Sequence, residues 1–241
     1  MSTWLFDLGN TRLKCAPLID GRVGGVQAVP HVSGGIADAL DAVLPARFDV
    51  AYVASVAGED LRVELLDALV TRCTRIELAR TQARFAGLRI AYAVPARLGV
   101  DRFLAMLGAA RHAQGAVLVC GVGTALTIDL VDADGLHRGG RIAPSPELMR
   151  DALHQRASQL PVAGGDWVDW ADDTTDALAS GCLGAALALV RDARDSARTT
   201  LGVEPTLLLH GGGARPLHER LHGARFAESL VLDGLARWAT T

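Results

Sequence analysis

Lysine is almost missing from this chain: of its 24 basic residues, 23 are arginine and one, Lys14, is lysine. Where arginine has replaced lysine nearly everywhere, the one lysine retained is a candidate for a specific role. Aromatic residues are also scarce, at 5%. The four cysteines, Cys15, Cys73, Cys120 and Cys182, contain no C-x-x-C pair, which argues against a disulfide scaffold or zinc framework and for reduced thiols in a cytoplasm. Apolar runs are short: stretches such as Gly181–Val190 fall well below the roughly 20 residues of a membrane span, so no membrane partner is expected. No arginine-rich block occurs and the net charge is only -3, which argues against nucleic acid as the main partner. The opening residues, Met1 to Asp7, carry no basic leader and reach a carboxylate at once, unlike a signal peptide. There is also no G-x-x-x-x-G-K-[ST] phosphate loop and no G-x-S-x-G nucleophile elbow.

What is present is a chain of 241 residues, 50% of them hydrophobic, long enough for one large domain or two modest ones. A weak internal repeat favours two. Trp4-Leu-Phe leads into Asp7-Leu-Gly9-Asn-Thr11, continues through Leu13–Ile19 and turns at Asp20-Gly21; Val117–Cys120 leads into Gly121-Val-Gly123-Thr124, continues through Leu126–Val131 and turns at Asp134-Gly135. A shift of 114 residues superposes Gly9 on Gly123, Asp20 on Asp134 and Gly21 on Gly135. Each copy reads as strand, glycine turn, strand and Asp-Gly hairpin. Asp49–Ser55 reads as a buried strand, and Thr206–Leu209 as another before Gly211–Gly213. Helical spacing marks Glu59–Thr71, Leu98–His112, Ser145–Gln155, Thr174–Ser196 and Phe226–Trp238. Strands followed by helices in both halves predict an α/β architecture, divided into residues 1–115 and 116–241.

The segment Asp7-Leu8-Gly9-Asn10-Thr11-Arg12-Leu13-Lys14 sits between two strands, where glycine admits a phosphate close to the backbone and Asn10 and Thr11 can donate to its oxygens. Asp7 suits Mg²⁺ held through water, and Lys14 supplies a compact positive charge. Gly121–Thr127 is a second glycine turn, and Gly211-Gly-Gly-Ala214 follows a third strand, with room for a flat adenine ring. Gly99-Val100-Asp101-Arg102 opens a helix. Asp101 there is either a helix-end charge or a general base facing a substrate hydroxyl, with Arg102 gripping an anion and Tyr92 lining the same pocket. Two patterns mislead. His218-Glu-Arg-Leu-His222 matches a zinc-protease helix but reads better as a surface helix, and His210-Gly-Gly-Gly resembles an oxyanion loop without a nucleophile to serve. The acidic cluster Asp166, Asp169, Asp172 and Asp173 reads as a solvated loop that caps the next helix.

Taken together, D-x-G-N-T-x-x-K (Asp7–Lys14), G-x-D-R (Gly99–Arg102), G-T-A-x-T-x-D (Gly123–Asp129), G-G-x-I (Gly139–Ile142) and G-G-G-A (Gly211–Ala214) occur in one order. Over nearly its whole length the chain resembles a type III pantothenate kinase, a branch of the acetate and sugar kinase, chaperone and actin-like ATPase superfamily. The resemblance implies a duplicated ribonuclease-H-like fold whose two similar halves hold mixed sheets flanked by helices. It further implies a cytoplasmic homodimer that phosphorylates pantothenate with Mg-ATP as the first step towards coenzyme A. By the same resemblance, Asp7 to Lys14 and Thr124 hold ATP, Asp101 is the general base, and Tyr92, Gly99, Val100, Asp101, Arg102 and Thr174 bind pantothenate. A K⁺ or NH₄⁺ ion is also implied, but Gly121 stands where the family's D-x-G-T loop has its aspartate ligand, and a neutral glycine cannot replace it. Ser145 likewise replaces the last glycine of G-G-x-I-x-P-G, which removes an easy positive φ from that turn. The alternatives are a nucleotide-binding accessory protein on the same fold and a kinase of another small alcohol; a pure binding module has no need of a base at Asp101.

Overall fold

The computed structural model describes residues 1–30 and 35–241 and divides into two compact units, Met1–His112 with Ser229–Thr241, and Ala113–Glu228. The first unit contains β1 (Thr3–Leu8), β2 (Arg12–Ile19), β3 (Arg22–Val23), β4 (Gln27–Pro30), α1 (Ile36–Asp41), β5 (Phe48–Ser55), α2 (Glu59–Val70), β6 (Cys73–Leu78), β7 (Arg84–Phe85), β8 (Leu88–Arg89) and α3 (Val100–Ala109). The second contains β9 (Val117–Val122), β10 (Ala125–Val131), β11 (His137–Pro144), α4 (Pro146–Arg156), α5 (Thr174–Leu201), β12 (Thr206–His210), α6 (Arg215–His218) and β13 (Arg225–Phe226). Helix α7 (Leu230–Thr240) ends the chain.

The duplication is visible in strand order. One sheet runs β3-β2-β1-β5-β6, with β4 also on β2, and the other runs β11-β10-β9-β12-β13. In both, each of the first three strands is antiparallel to its neighbour, and the third, fourth and fifth are parallel. The two Asp-Gly turns nevertheless differ. Asp20 and Gly21 both have positive φ (49° and 71°), as a two-residue turn twisted to match its strands requires. The Asp134-Gly135 loop is wider, with the Asp132 carboxylate accepting from the Asp134 and Leu136 amides.

Each unit closes its own core. Phe6, Leu8, Leu13, Ile36, Leu40, Phe48, Leu65 and Leu69 pack together in the first. In the second, β9 is buried at every position because it lies between β10 and β12, and its Leu118, Cys120 and Val122 pack against Ala186, Leu187 and Val190 of α5. Burying such side chains contributes roughly 1.5–3 kcal/mol each.

Several helix limits, and the placement of one helix, depart from the periodicity; helix α3, for one, is Val100–Ala109 rather than Leu98–His112. Helix α5 continues past Ser196 to Leu201, where Gly202, in the left-handed region, ends it. The final helix begins at Leu230 rather than Phe226, because Arg225 and Phe226 stay extended in parallel pairing with β12. A further departure concerns which unit α7 joins. Read with the second half in sequence, it packs in the first unit against α3. The crossing is close at Gly108 and Gly234, where an added Cβ would overlap the Leu230 and Leu104 carbonyl oxygens respectively. Arg237 also donates to the Leu107 and Ala86 carbonyls, and His112 Nε2 lies 2.8 Å from Asp233 Oδ2. Among the described residues, no helix is long and apolar enough to cross a membrane.

Candidate active site

The hairpin register in the first unit aligns Leu8 with Leu13 and Asp7 with Lys14, so the acid and the only lysine are direct cross-strand neighbours on one face. Between them Gly9, Asn10 and Thr11 form the turn, closed by the Gly9 amide donating to Arg12 O at 3.1 Å. Asn10, Thr11 and Arg12 are exposed at its tip. Leu8 and Leu13 are fully buried, so they can meet a ligand only through their backbone. Burial raises the Asp7 carboxyl to about 7; Lys14 opposes the rise, and Asp101 adds to it. Asp101, remote in sequence, is thus near enough for its charge to act on Asp7.

Asp101 arrives on the first turn of α3. Gly99 is the residue before that helix, and a Cβ there would stand 2.5 Å from Asp101 Oδ1. The carboxylate therefore lies against a bare Cα, which explains the glycine at 99 by space rather than by φ. The approach to the helix is held by Thr81 Oγ1 donating to Leu98 O at 2.8 Å. Arg102 is buried at 7% exposure; its Nη1 donates to Tyr92 Oη at 3.3 Å, and its guanidinium carbon is 6.0 Å from the tyrosine ring centre. Tyr92 itself lies in a loop three residues past β8, not within a strand. Val100 is the first residue of α3 and is half-buried.

The second unit repeats the glycine turn at Gly123 and Thr124, both exposed, with Gly123 N donating to Ala125 O at 3.0 Å and open space beside its Cα. The Gly211–Gly213 turn clasps the end of β9. Gly211 has φ +98°, a Cβ there would overlap Val122 O, and Gly213 N donates to that same oxygen at 3.0 Å. Beside these turns lies a cleft of about 510 Å³ whose lining includes Gly123, Gly213, Ser145, Arg150, Trp167 and Arg220. The Arg220 guanidinium sits 5.4 Å from the Trp167 ring, a cation–π pair. Arg150 Nη1 donates to Gly164 O at 2.8 Å, while its Nε and Nη2 are buried without a hydrogen-bond partner.

Sequence reasoning passed over Trp167, Arg150 and Arg220. A tryptophan in a loop of a chain so poor in aromatics was the available signal for the first; nothing local marked the two arginines. Thr174 is exposed on the first turn of α5 in the second unit, whereas Tyr92 and Arg102 belong to the first. Ser145 needs no positive φ: at φ -68° it caps α4, its Oγ accepting from Leu148 N at 3.2 Å. Asp173 caps α5 in the same way, accepting from the Thr175 and Asp176 amides. The His218–His222 pattern does not form one helix, because α6 ends at His218. Asp129 is buried and 3.0 Å from His137 Nε2, which commits its carboxylate.

The chain has a duplicated ribonuclease-H-like fold with a glycine turn in each unit, and a lysine and two carboxylates gather beside the first of them. A solved glucomannokinase from Arthrobacter sp. strain KM shares that fold (TM-score 0.50, 17% identity, 100% of this chain and 99% of that one). So does a Campylobacter jejuni protein described as a Baf-family transcriptional activator (TM-score 0.65, 19% identity, covering 98% and 97%). The family model of type III pantothenate kinase matches residues 4–195. A type III pantothenate kinase from Stenotrophomonas maltophilia (strain K279a) is 58% identical over 239 residues, 99% of this chain and 98% of the relative. This chain belongs to the type III pantothenate kinase family.

Proposed function

We propose that this chain transfers the γ-phosphoryl group of ATP to the hydroxyl of pantothenate, giving 4'-phosphopantothenate in the first step of coenzyme A biosynthesis. The convergence of Asp7, Lys14 and Asp101 carries this reading. Phosphoryl transfer needs little covalent help from protein; it needs the reactants aligned and the phosphate charge neutralised. Asp101 accepts the proton of the attacking hydroxyl, the new oxygen–phosphorus bond forms, and the bond to the β–γ bridging oxygen breaks to release ADP. Lys14 places its charge on the phosphates, which the turn from Leu8 to Leu13 holds through backbone and short side-chain donors; Thr124 offers a donor of the same kind within the second unit. Arg102, oriented by Tyr92, pairs with the pantothenate carboxylate, with Gly99 and Val100 as further contacts.

Carboxylate oxygens are the donors Mg²⁺ prefers, and Asp7, whose burial and acidic neighbour disfavour its charged form, would be relieved by a cation; the site fits. Asp7 would hold the ion through water, and Mg²⁺ bound with ATP supplies neutralising charge to the phosphate oxygens. In the second unit, the cleft beside Gly213 receives the adenine, with the Trp167 face as a stacking surface. The enzyme works as a homodimer in the cytoplasm. Exposed apolar side chains such as Ile142, Leu153 and Trp170 support the first statement, and the four free thiols the second.

The test is ADP release with Mg-ATP, with and without pantothenate, for the wild type and Asp101→Asn. Pantothenate-dependent turnover that falls about 100-fold or more in the variant, with nucleotide affinity retained, is the expected result. A folded wild type that binds ATP yet releases no ADP with pantothenate would overturn the reading.

A further inference from the structure

Gly121 occupies the position at which the family's D-x-G-T loop carries its cation-binding aspartate. Its neighbours across the sheet are Thr127 on β10 and His210 on β12. A Cβ built on Gly121 would stand 2.8 Å from His210 Nε2, 2.8 Å from Thr127 Oγ1 and 3.0 Å from His210 Cε1. The space above this buried glycine is therefore filled from both sides, and an aspartate cannot enter unless the imidazole leaves.

Nor do the groups present make an alkali-cation site. Such ions take several oxygen ligands, whereas the side-chain atoms nearest a Cβ at Gly121, among the described residues, are one hydroxyl and an imidazole, a donor suited to transition metals. The next carboxylate along β10, Asp129, is committed to His137 at 3.0 Å. The residues do not fit K⁺ or NH₄⁺.

The position matters because it is the root of both glycine turns in this unit. Gly121 is two residues before Gly123, and His210 immediately precedes Gly211. An imidazole packed against a bare Cα fixes the ends of β9 and β12 from which the two turns depart. We propose that His210 is a positioning residue that occupies the place of the monovalent cation in this enzyme, so that its catalysis does not depend on K⁺ or NH₄⁺. This rests on the kinase reading above.

Two measurements separate the two ideas. Thermal unfolding of the nucleotide-free protein in KCl, NH₄Cl, NaCl and tetramethylammonium chloride at equal ionic strength needs no turnover. Initial rates with Mg-ATP and pantothenate in the same salts test catalysis. We expect the wild-type melting temperature and rate to agree across all four salts, the rate within about twofold. His210→Ala should raise the KM for ATP at least fivefold with a smaller change in kcat, and His210→Gln should recover part of the loss. Gly121→Asp should fold poorly, while the double variant Gly121→Asp/His210→Ala should fold and acquire stabilisation by K⁺ over Na⁺. A wild type whose melting temperature rises selectively in K⁺ or NH₄⁺, or whose rate is stimulated tenfold or more by either over Na⁺, would overturn the proposal. So would a His210→Ala enzyme that melts lower but keeps its KM for ATP. Absence of turnover in every salt would sink the kinase reading, leaving the unfolding result to decide the cation question.

Discussion

Asp7→Asn should make this protein more stable and less active at once. The carboxyl is raised from 3.8 to about 7, first by burial, against the lowering effect of Lys14, and further by Asp101. At about 1.4 kcal/mol per pKa unit, the full shift corresponds to a ceiling of about 4 kcal/mol, and solvent reaching the partly exposed side chain reduces this to about 2 kcal/mol. The sign follows from linkage. An acid whose pKa is raised by folding binds more protons in the native state, so its favourable contribution is complete below about pH 4 and is lost as pH rises through about 7. The neutral amide does not suffer that loss. At pH 8 the variant should melt about 4–8 °C above the wild type, and the gap should close towards pH 4. Calorimetric scans without nucleotide at constant ionic strength across this range test the expectation, and Mg-ATP should stabilise the wild type more than the variant. A variant less stable than the wild type at pH 8, or a gap independent of pH, would refute the reasoning.

Three further expectations rest on single contacts. Gly99→Ala should push the Asp101 carboxylate from its seat and lower kcat at least tenfold with little change in melting temperature; an unchanged kcat in steady-state assays would show that the seat does not matter. Gly234→Ala drives a methyl group into the Leu104 carbonyl at the α3–α7 crossing and should cost about 3 kcal/mol in urea unfolding, an effect that a wild-type midpoint would contradict. His137→Ala removes the imidazole from the buried Asp129 carboxylate and should cost about 3 kcal/mol at neutral pH, whereas the wild-type stability would mean that water replaces the imidazole.

Much of this protein was legible in the chain because its signals are local. The strand–turn–strand repeat is encoded within some twenty residues, and the matching β1–β2 and β9–β10 hairpins follow from it. The Asp173 cap and the pairing of Asp7 with Lys14 across a short hairpin are also short-range properties of the backbone. What the chain alone left open is where distant segments meet. Hydrophobic periodicity says that a helix buries a face but not against what, so chain order alone groups α7 with the half it follows, whereas Gly108 and Gly234 let it pack closely on α3. Helical spacing could not distinguish Asp101 as an end charge from Asp101 as a general base, because that depends on which distant groups the fold brings to the start of α3, Asp7 among them. The stacking of Arg220 on Trp167 and the filling of the space above Gly121 by His210 are likewise products of tertiary packing. A glycine in sequence is only a missing side chain; which atoms occupy the room it leaves is decided by strands that come together only when the sheet forms.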